Sequence, residues 1–318
     1  MLGLWLEEKK LSLGNDLAVP KVSSGEALIK LRLAGICSTD LEMVRGYYPF
    51  SNIPGHEFVG EVVDAPGHPG LNGKRVVGEI SIYCGTCPTC LAGRTSHCEN
   101  RRTLGIMNYP GVFAEYLSLP VRNLHLVPDS VSDEKAVFTE LLAAAFEIQQ
   151  QVQIQPGMRV TIVGAGRLGL LIAMTLALTG CDLSVVVRRE APALLLRNLD
   201  IRCIQEDEVE PGRSDLVIEV TGSPAGFALS RKAVRPRGTL VLKSTFAGDL
   251  TLNMSSIVVD EVQLIGSRCG PFKLALDLLE TGQVDPTPLI DSQYPLSEGL
   301  AAFDRAAQPG VLKVLLHP

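Results

Sequence analysis

Long hydrophobic runs are missing from this chain of 318 residues. The longest apolar stretch, Leu168 to Leu178, is far shorter than the roughly 20 residues that a membrane-spanning helix needs. The opening residues, MLGLWLEEKK, combine too short an apolar run with the wrong charges for a secretory signal. A membrane protein and a secreted protein are therefore disfavoured, and a cytoplasmic enzyme or binding protein is expected.

An excess of positive charge is also missing. The formal net charge is −6 and no basic stripe runs along the sequence, so electrostatics do not favour nucleic acid as a partner. Aromatic residues are scarce, but the hydrophobic content of 46% is that of a globular protein. The length fits two domains better than one.

The pattern of predicted secondary structure changes along the chain. Up to about residue 130, short alternating segments between turn residues predict strands of a barrel or strongly curved sheet. From residue 135 onward, helical and strand patterns alternate, which predicts a parallel, doubly wound α/β sheet. The strands predicted in the first part are 26–35, 57–65, 74–80 and 111–119.

Three glycines indicate a nucleotide-binding turn. Gly164, Gly166 and Gly169 form a G-x-G-x-x-G pattern that follows an apolar strand and opens a helix. The glycines permit a tight turn, close approach of a pyrophosphate and close packing of helix on strand, and the helix N-terminus offers free N–H groups. The alternative is a glycine-rich turn without a ligand. The residues expected at the cofactor are Gly164, Gly166, Arg167, Leu168, Gly169, Arg188, Arg189, Thr221, Gly222 and Arg268.

The end of the second strand of this sheet carries arginine where an NAD site would carry an acid. Arg188 occupies that position and Arg189 follows. A guanidinium can bind the 2′-phosphate of NADP as a fork, so NADP(H) is favoured over NAD(H). Glu190 is a rival two positions further on, and the other alternative is that both arginines are solvated and either cofactor is used.

Four of the eight cysteines lie within fifteen residues. The spacing Cys84-x2-Cys87-x2-Cys90-x7-Cys98 predicts a closed, tetrahedral structural zinc site. Four reduced thiols or two disulfides are the alternatives. In a chain expected to be cytoplasmic, such a cluster favours metal over disulfides.

A second set of candidate metal ligands is scattered. Cys37 lies in AGICSTD, His56 and Glu57 lie in PGHEFVG, and Glu140 follows much later. Taken singly, the cysteine is more often a buried apolar residue, and the His–Glu pair more often a surface pair. Together, Cys, His and Glu would leave a zinc ion one open coordination position for water or substrate. The other cysteines are Cys181 and Cys203, expected in packing, and Cys269, at the end of the last strand of the sheet.

The motifs make the chain resemble the zinc-dependent medium-chain alcohol dehydrogenases, with the ligand pattern of the polyol and threonine dehydrogenase branch. The resemblance rests on their order along the chain, which is Cys37–Thr39–Asp40, Gly55-His56-Glu57, the four-cysteine lobe, GVFAEY at 111–116, Glu140 and VGAGRLG at 163–169. The resemblance covers nearly the whole chain. It implies a GroES-like β-barrel catalytic domain at 1–140 and 270–318, with the zinc lobe at 84–98, and a Rossmann domain at 141–269. It also implies a homodimer or homotetramer formed through the last Rossmann strand near Val262–Gly266.

The resemblance further implies roles for the scattered ligands. Cys37 and His56 match two catalytic zinc ligands, and Glu140 matches the third. Glu57 matches an acid that either binds the zinc or exchanges with water. Thr39 matches the hydroxyl that passes on the substrate proton.

Asp40 matches a residue that supports the ligands, and Glu42 replaces a histidine that many relatives use to carry the proton to water. The expected function is reversible hydride transfer between an alcohol and NADP(H). The alternatives are a non-catalytic NADPH-binding redox sensor and a zinc-independent quinone or enoyl reductase of the same superfamily. The aromatic and apolar residues implied at the substrate are Tyr47, Tyr48, Phe50, Met107 and Tyr109.

Overall fold

The computed structural model describes residues 1–245 and 249–318, which divide into two compact units. The first unit contains Met1–Glu140 and Phe272–Pro318, and the second contains Leu141–Pro271. The corresponding boundaries expected from the sequence lie at residues 140/141 and 269/270. Among the described residues, no helix is both long enough and apolar enough to cross a membrane.

The first unit is rich in short strands. The hairpin at its start and the helix after residue 37 were not predicted, and the strand predicted at 111–119 begins only at Tyr116. Its elements, in chain order, are β1 (Gly3–Glu7), β2 (Lys10–Gly14), β3 (Glu26–Ile36), α1 (Ser38–Arg45), β4 (Glu57–Asp64), β5 (Arg75–Gly78), β6 (Ser81–Ile82), α2 (Pro88–Leu91), β7 (Arg102–Thr103), β8 (Tyr116–Pro120), β9 (Leu124–Leu126) and α3 (Asp133–Ala136).

The second unit alternates strand and helix. Its parallel strands follow the order β12-β11-β10-β13-β14-β15, so the strand order reverses between β10 and β13. This order confirms the predicted doubly wound sheet, in which ligands bind at the carboxyl ends beside the reversal. The elements from the end of the first unit onward are α4 (Thr139–Gln151), β10 (Arg159–Val163), α5 (Arg167–Ala177), β11 (Asp182–Val186), α6 (Glu190–Arg197), β12 (Arg202–Ile204), β13 (Ser214–Glu219), α7 (Pro224–Ala233), β14 (Val234–Leu242), α8 (Met254–Val259) and β15 (Gln263–Gly266).

The end of the chain returns to the sheet of the first unit. Strand β3 pairs with β4 along one edge and with β8 and the last strand, β17, along the other. In that pairing Val314 lies opposite Ile36, so the last strand ends up beside Cys37. The returning elements are α9 (Phe272–Glu280), β16 (Ile290–Pro295), α10 (Gly299–Ala306) and β17 (Lys313–His317).

Candidate functional site

One buried carboxylate orients both the cysteine and the histidine of the predicted metal site. Cys37 caps the N-terminus of α1, and its backbone N–H donates to Oδ2 of Asp40 at 2.8 Å. The other oxygen, Oδ1, lies 3.1 Å from Nδ1 of His56. Asp40 is fully buried. Because the carboxylate occupies Nδ1, the Nε2 atom of His56 is the one left to bind a metal.

The backbone before His56 is held by a second segment of the same unit. Gly111 donates to the carbonyl of Ile53 at 2.7 Å, and the next two amides donate to the carbonyls of Gly55 and Pro54 at 3.1 Å each. A Cβ on Gly111 would lie 2.4 Å from those carbonyl oxygens, so only glycine permits this approach. Because residues 111–113 make these bonds, they do not belong to the predicted strand, and they position the backbone before His56.

Three of the predicted ligands come together. The donor atoms of Cys37, His56 and Glu57 all lie within 4.8 Å of one another. Cys37 is 9% exposed, His56 3% and Glu57 0%, so the group is almost closed to water. Glu140 is half-buried in the first turn of α4 and is not a member of this set of described donors.

Glu57 also has a partner that the sequence analysis missed. Lys313 on β17 is fully buried, donates to Oε2 of Glu57 and lies over the ring of Phe138, 5.6 Å from its centroid. A Cβ on Gly35 would lie 2.5 Å from the same oxygen, so the pair lies directly over a glycine. The lysine between Leu312 and Val314 in an apolar strand was the available signal, because a buried lysine requires an acid.

The charges of this cluster fit a divalent cation. With Cys37 as a thiolate and His56 as the neutral imidazole that a metal requires, three anionic groups (Cys37, Asp40 and Glu57) face one cation, Lys313, which leaves two negative charges to balance. The Oε1 atom of Glu57 is buried and has no hydrogen-bond partner among the described residues. Burial lowers the pKa of His56, but the charge and hydrogen bond of Asp40, together with Cys37, outweigh burial and raise it well above its usual value. A cysteine, an imidazole and a carboxylate are ordinary zinc ligands, so the donor set fits zinc.

The predicted relay residues lie on α1. The hydroxyl of Thr39 is half-buried and lies 3.8 Å from Sγ of Cys37, at the metal site. Glu42 lies one turn further along, where Arg45 donates to its carboxylate at 2.5 Å. Glu42 is therefore engaged in an ion pair on the solvent side of the helix.

The predicted substrate residues differ in exposure. Tyr47 and Tyr48 are about 40% exposed, whereas Phe50 and Met107 are half-buried. Tyr109 is only 6% exposed, and Arg102 lies over its ring at 4.9 Å. Burial raises the pKa of the Tyr109 hydroxyl. The two tyrosines of the loop before His56 are thus accessible to a ligand, and Tyr109 is a packing residue.

The four-cysteine lobe forms a compact donor set of its own. The sulfur atoms lie within 4.8 Å of one another; Cys98 is 3.5 Å from Cys84 and 3.9 Å from Cys87. Tetrahedral zinc with Zn–S bonds of about 2.3 Å requires about 3.8 Å between sulfurs. Hydrogen bonds from the backbone amides of Thr86 and Cys87 lower the pKa of Cys84 to about 5, which favours the thiolate that a metal binds. None of the eight cysteines, all of which lie among the described residues, is joined in a disulfide.

The glycine turn in the second unit has the form that a pyrophosphate needs. Gly164 follows β10 with φ +119°, and a Cβ on Gly169 would lie 2.0 Å from the Gly164 carbonyl oxygen. Gly166 caps α5, and a Cβ there would meet no described atom within 4 Å. The N-terminus of α5 at Gly166 therefore faces open space, where the positive end of the helix dipole favours an anion.

A buried carboxylate shapes the neighbouring loop after β13. Oε1 of Glu219 accepts the backbone N–H of Thr221 at 2.7 Å, and its other oxygen accepts the hydroxyl of Ser244. The same hydroxyl accepts the N–H of Gly222 at 2.8 Å. The predicted cofactor residues Thr221 and Gly222 thus have a fixed orientation at the carboxyl end of the sheet. Arg268 lies after β15, where its carbonyl accepts a bond from Lys243 at 2.7 Å.

The arginines after β11 have different surroundings. Arg188 donates to Oε2 of Glu206 at 3.1 Å, and both side chains are more than half exposed. Arg189 precedes α6 as its cap residue. Glu190, the rival acid, is bound by Arg197 at 2.8 Å. Sequence analysis did not identify Glu206, which comes from the loop after β12.

Comparisons with known proteins show which proteins the chain is similar to. Residues 23–129 match the family model of the alcohol dehydrogenase GroES-like domain. A sorbitol dehydrogenase of Halalkalibacterium halodurans is 29% identical over an alignment that covers 94% of this chain and 93% of the relative. A D-arabitol-phosphate dehydrogenase of Enterococcus avium is 28% identical over 95% of this chain and 92% of its own length.

A solved structure is similar over the full length. It is a zinc-binding dehydrogenase from Sinorhizobium meliloti 1021 bound to NADP, which is 28% identical with a TM-score of 0.92. The alignment covers 100% of this chain and 99% of that one.

Proposed function

Because this chain belongs to the zinc-dependent medium-chain alcohol dehydrogenases, we propose that it interconverts an alcohol and its carbonyl compound with NADP(H). The proposal rests on the donor set of Cys37, His56 and Glu57. Asp40 supports this set through hydrogen bonds with the Cys37 backbone and the His56 ring. An open coordination position on zinc distinguishes a catalytic site from the closed four-cysteine site.

The residues around the donor set have separate tasks. Cys37 and His56 bind the metal, and Asp40 keeps the histidine in the tautomer that presents Nε2. Glu57, held by Lys313, or Glu140 supplies the further carboxylate ligand. Zinc bound there supplies a Lewis acid that stabilises negative charge on the substrate oxygen.

Thr39 moves the proton. Its hydroxyl lies close enough to the Cys37 sulfur to reach a substrate oxygen bound at the same metal site. In alcohol oxidation the hydroxyl accepts the substrate proton as it donates its own toward solvent. Glu42 is engaged by Arg45, and we propose that the relay passes from Thr39 without needing this carboxylate. The bound nicotinamide supplies the hydride acceptor.

We assign a polyol-like alcohol as the substrate class. Two of the relatives reported above are dehydrogenases of sorbitol and D-arabitol-phosphate. Tyr47 and Tyr48 are exposed in the loop before His56 and can donate or accept hydrogen bonds to several hydroxyl groups. The preference for NADP(H) rests on Arg188, which takes the position of the ribose-binding acid.

The proposed assembly is a homodimer or homotetramer through β15. This strand is at one end of the sheet of the second unit, and Leu264 on it is exposed. Val258 and Val259 at the end of α8 are 67% and 79% exposed. An unpaired strand edge beside apolar side chains is favourable for pairing with a second copy. A cytoplasmic location remains a prediction from the sequence.

The decisive test replaces Thr39 in the zinc-loaded protein. We expect Thr39→Ala to lower kcat for polyol oxidation by about 10²- to 10⁴-fold, whereas Thr39→Ser retains the hydroxyl and most of the rate. Both variants should hold the same zinc as the unaltered chain and bind NADPH equally well. Equal rates for all three proteins would remove Thr39 from the proton relay.

The same assay separates the alternative functions. Turnover that disappears when zinc is removed and returns with added zinc supports the dehydrogenase. Turnover that survives zinc removal would identify a zinc-independent reductase. NADPH binding without turnover of any polyol, ketose, aldehyde or simple alcohol would favour a redox sensor.

A further inference from the structure

A cleft of about 900 Å³ opens at the carboxyl ends of β11 and β12, beside α7. Arg188 and Glu206 line one side, and Ala225 and Ala228 on α7 line another. In a doubly wound sheet, this end of the strands is where a dinucleotide binds. Small side chains on the helix leave room for a flat base. The cleft is therefore the place where the adenosine end of the cofactor would be recognised.

The charged groups of the cleft are balanced. Two cations, Arg188 and Lys232, and two anions, Glu206 and Asp207, lie along its lining. A site that binds only cofactors with a 2′-phosphate is expected to carry an excess of positive charge. Here the cationic groups share the cleft with as many carboxylates, so the potential for an incoming phosphate is reduced.

The guanidinium of Arg188 is already paired with a carboxylate of the cleft. Nη2 of Arg188 donates to Oε2 of Glu206 at 3.1 Å, and the two side chains are 64% and 51% exposed. Ion pairs that are this exposed are weak, so a phosphate can displace the carboxylate. The displaced Glu206 would still lie next to the phosphate as a like charge.

We propose that Glu206 is a specificity-determining residue that limits the preference for NADP(H) by holding Arg188 and repelling the 2′-phosphate. The inference rests on the proposed use of a nicotinamide dinucleotide. NAD(H) carries no 2′-phosphate, so it leaves the ion pair between Arg188 and Glu206 intact. The chain accordingly accepts both cofactors, with only a modest preference for the phosphorylated one.

The test measures dissociation constants of the zinc-loaded full chain for NADPH, NADH, 2′,5′-ADP and 5′-AMP. Removing the negative charge with Glu206→Gln should tighten NADPH and 2′,5′-ADP about tenfold and leave NADH and 5′-AMP within about twofold. Arg188→Gln should weaken both 2′-phosphorylated ligands and reduce the gain from Glu206→Gln to the part that comes from direct repulsion of the 2′-phosphate. The matched control is Glu210→Gln, because Glu210 forms a similar exposed pair with Arg213 at 3.1 Å and is not among the described residues that line the cleft.

Each other outcome has a distinct meaning. If Glu206→Gln changes NADPH and NADH equally, or neither, or no more than Glu210→Gln does, the proposed selectivity role is wrong. If it weakens NADH instead, Glu206 binds the ribose hydroxyls, and its role as a competing counter-ion is also wrong. If the unaltered chain binds neither dinucleotide nor either adenosine phosphate, the proposed function itself fails along with this inference.

Discussion

The two candidate zinc centres of the first unit are built in opposite ways. The four-cysteine lobe takes all its donors from residues 84–98, and backbone amides of the same turn stabilise the sulfurs. The other centre takes its donors from residues 37, 56 and 57, and its buried supporting cation from residue 313. The first centre is a local structure that a short spacing can specify. The second exists only after most of the unit has folded.

The largest expected effect is the loss of zinc from one centre while the other centre keeps its zinc. Zinc contributes about 10–16 kcal/mol to small structural sites of this kind. We therefore expect Cys84→Ser to lose one of two zinc ions per chain and to expose the amides of residues 84–98 to hydrogen exchange. The proposed catalytic centre should keep its zinc in this variant. Cys37→Ser should instead lose zinc from the proposed catalytic centre and keep it in the four-cysteine lobe, with turnover reduced by about 10³-fold or more.

Metal analysis with hydrogen exchange checks this prediction, and Cys181→Ser is the control, since Cys181 is remote in sequence from both donor sets. Loss of both zinc ions from either variant would show that the two centres fold as one structure. The contrast between a local and a long-range centre would then be wrong.

A second prediction concerns Lys313, which supports the proposed catalytic centre from the last strand. Lys313→Met leaves the fully buried carboxylate of Glu57 without its cation. Removing one partner of a buried ion pair costs about 3–5 kcal/mol, so the free energy of unfolding, measured with urea, should fall by that amount. The double variant Glu57→Gln with Lys313→Met should recover most of the loss.

Lys273→Met is the matched control, because Lys273 forms an exposed pair with Asp277. Its effect should be below about 1 kcal/mol. A loss of similar size for Lys273→Met and Lys313→Met would mean that burial of the Glu57 pair has no special role.

The smallest effect should come from Asp40→Asn, which keeps the shape of the side chain and removes its charge. Substituting such a supporting residue typically weakens metal affinity about 10- to 100-fold. Competition with a zinc chelator should show this shift for the catalytic zinc and none for the zinc of the four-cysteine lobe. An unchanged catalytic affinity would mean that Asp40 does not orient His56.

Local patterns explain why much could be predicted. The doubly wound sheet follows from apolar strands alternating with helices, and the turn at Gly164 follows from glycines at a fixed spacing after a strand. The helix at Ser38 was missed because it is only eight residues long, which gives little periodicity. The strand predicted from residue 111 was shortened because backbone bonds to residues 53–55 replaced strand pairing there.

Long-range partners account for what could not be predicted. Arg188 was identified from its position after a strand, but Glu206, eighteen residues later, reaches it only because β11 and β12 are neighbours in the sheet. Glu219 gave no signal, since its role comes from hydrogen bonds to Ser244 on a different loop. Nothing in the spacing of these residues distinguishes them from other acids.

The sequence by itself determined the class of the protein, because several motifs occur in a fixed order along the chain. It also determined the four-cysteine lobe and the glycine turn, because each depends on residues a few positions apart whose backbone geometry is local. Only the tertiary structure decided that Asp40 holds both Cys37 and His56, and that Lys313 on the last strand meets Glu57. The physical reason is that buried charges must find partners wherever the sheet brings them, and the pairing of β17 with β3 brings the end of the chain to the metal site.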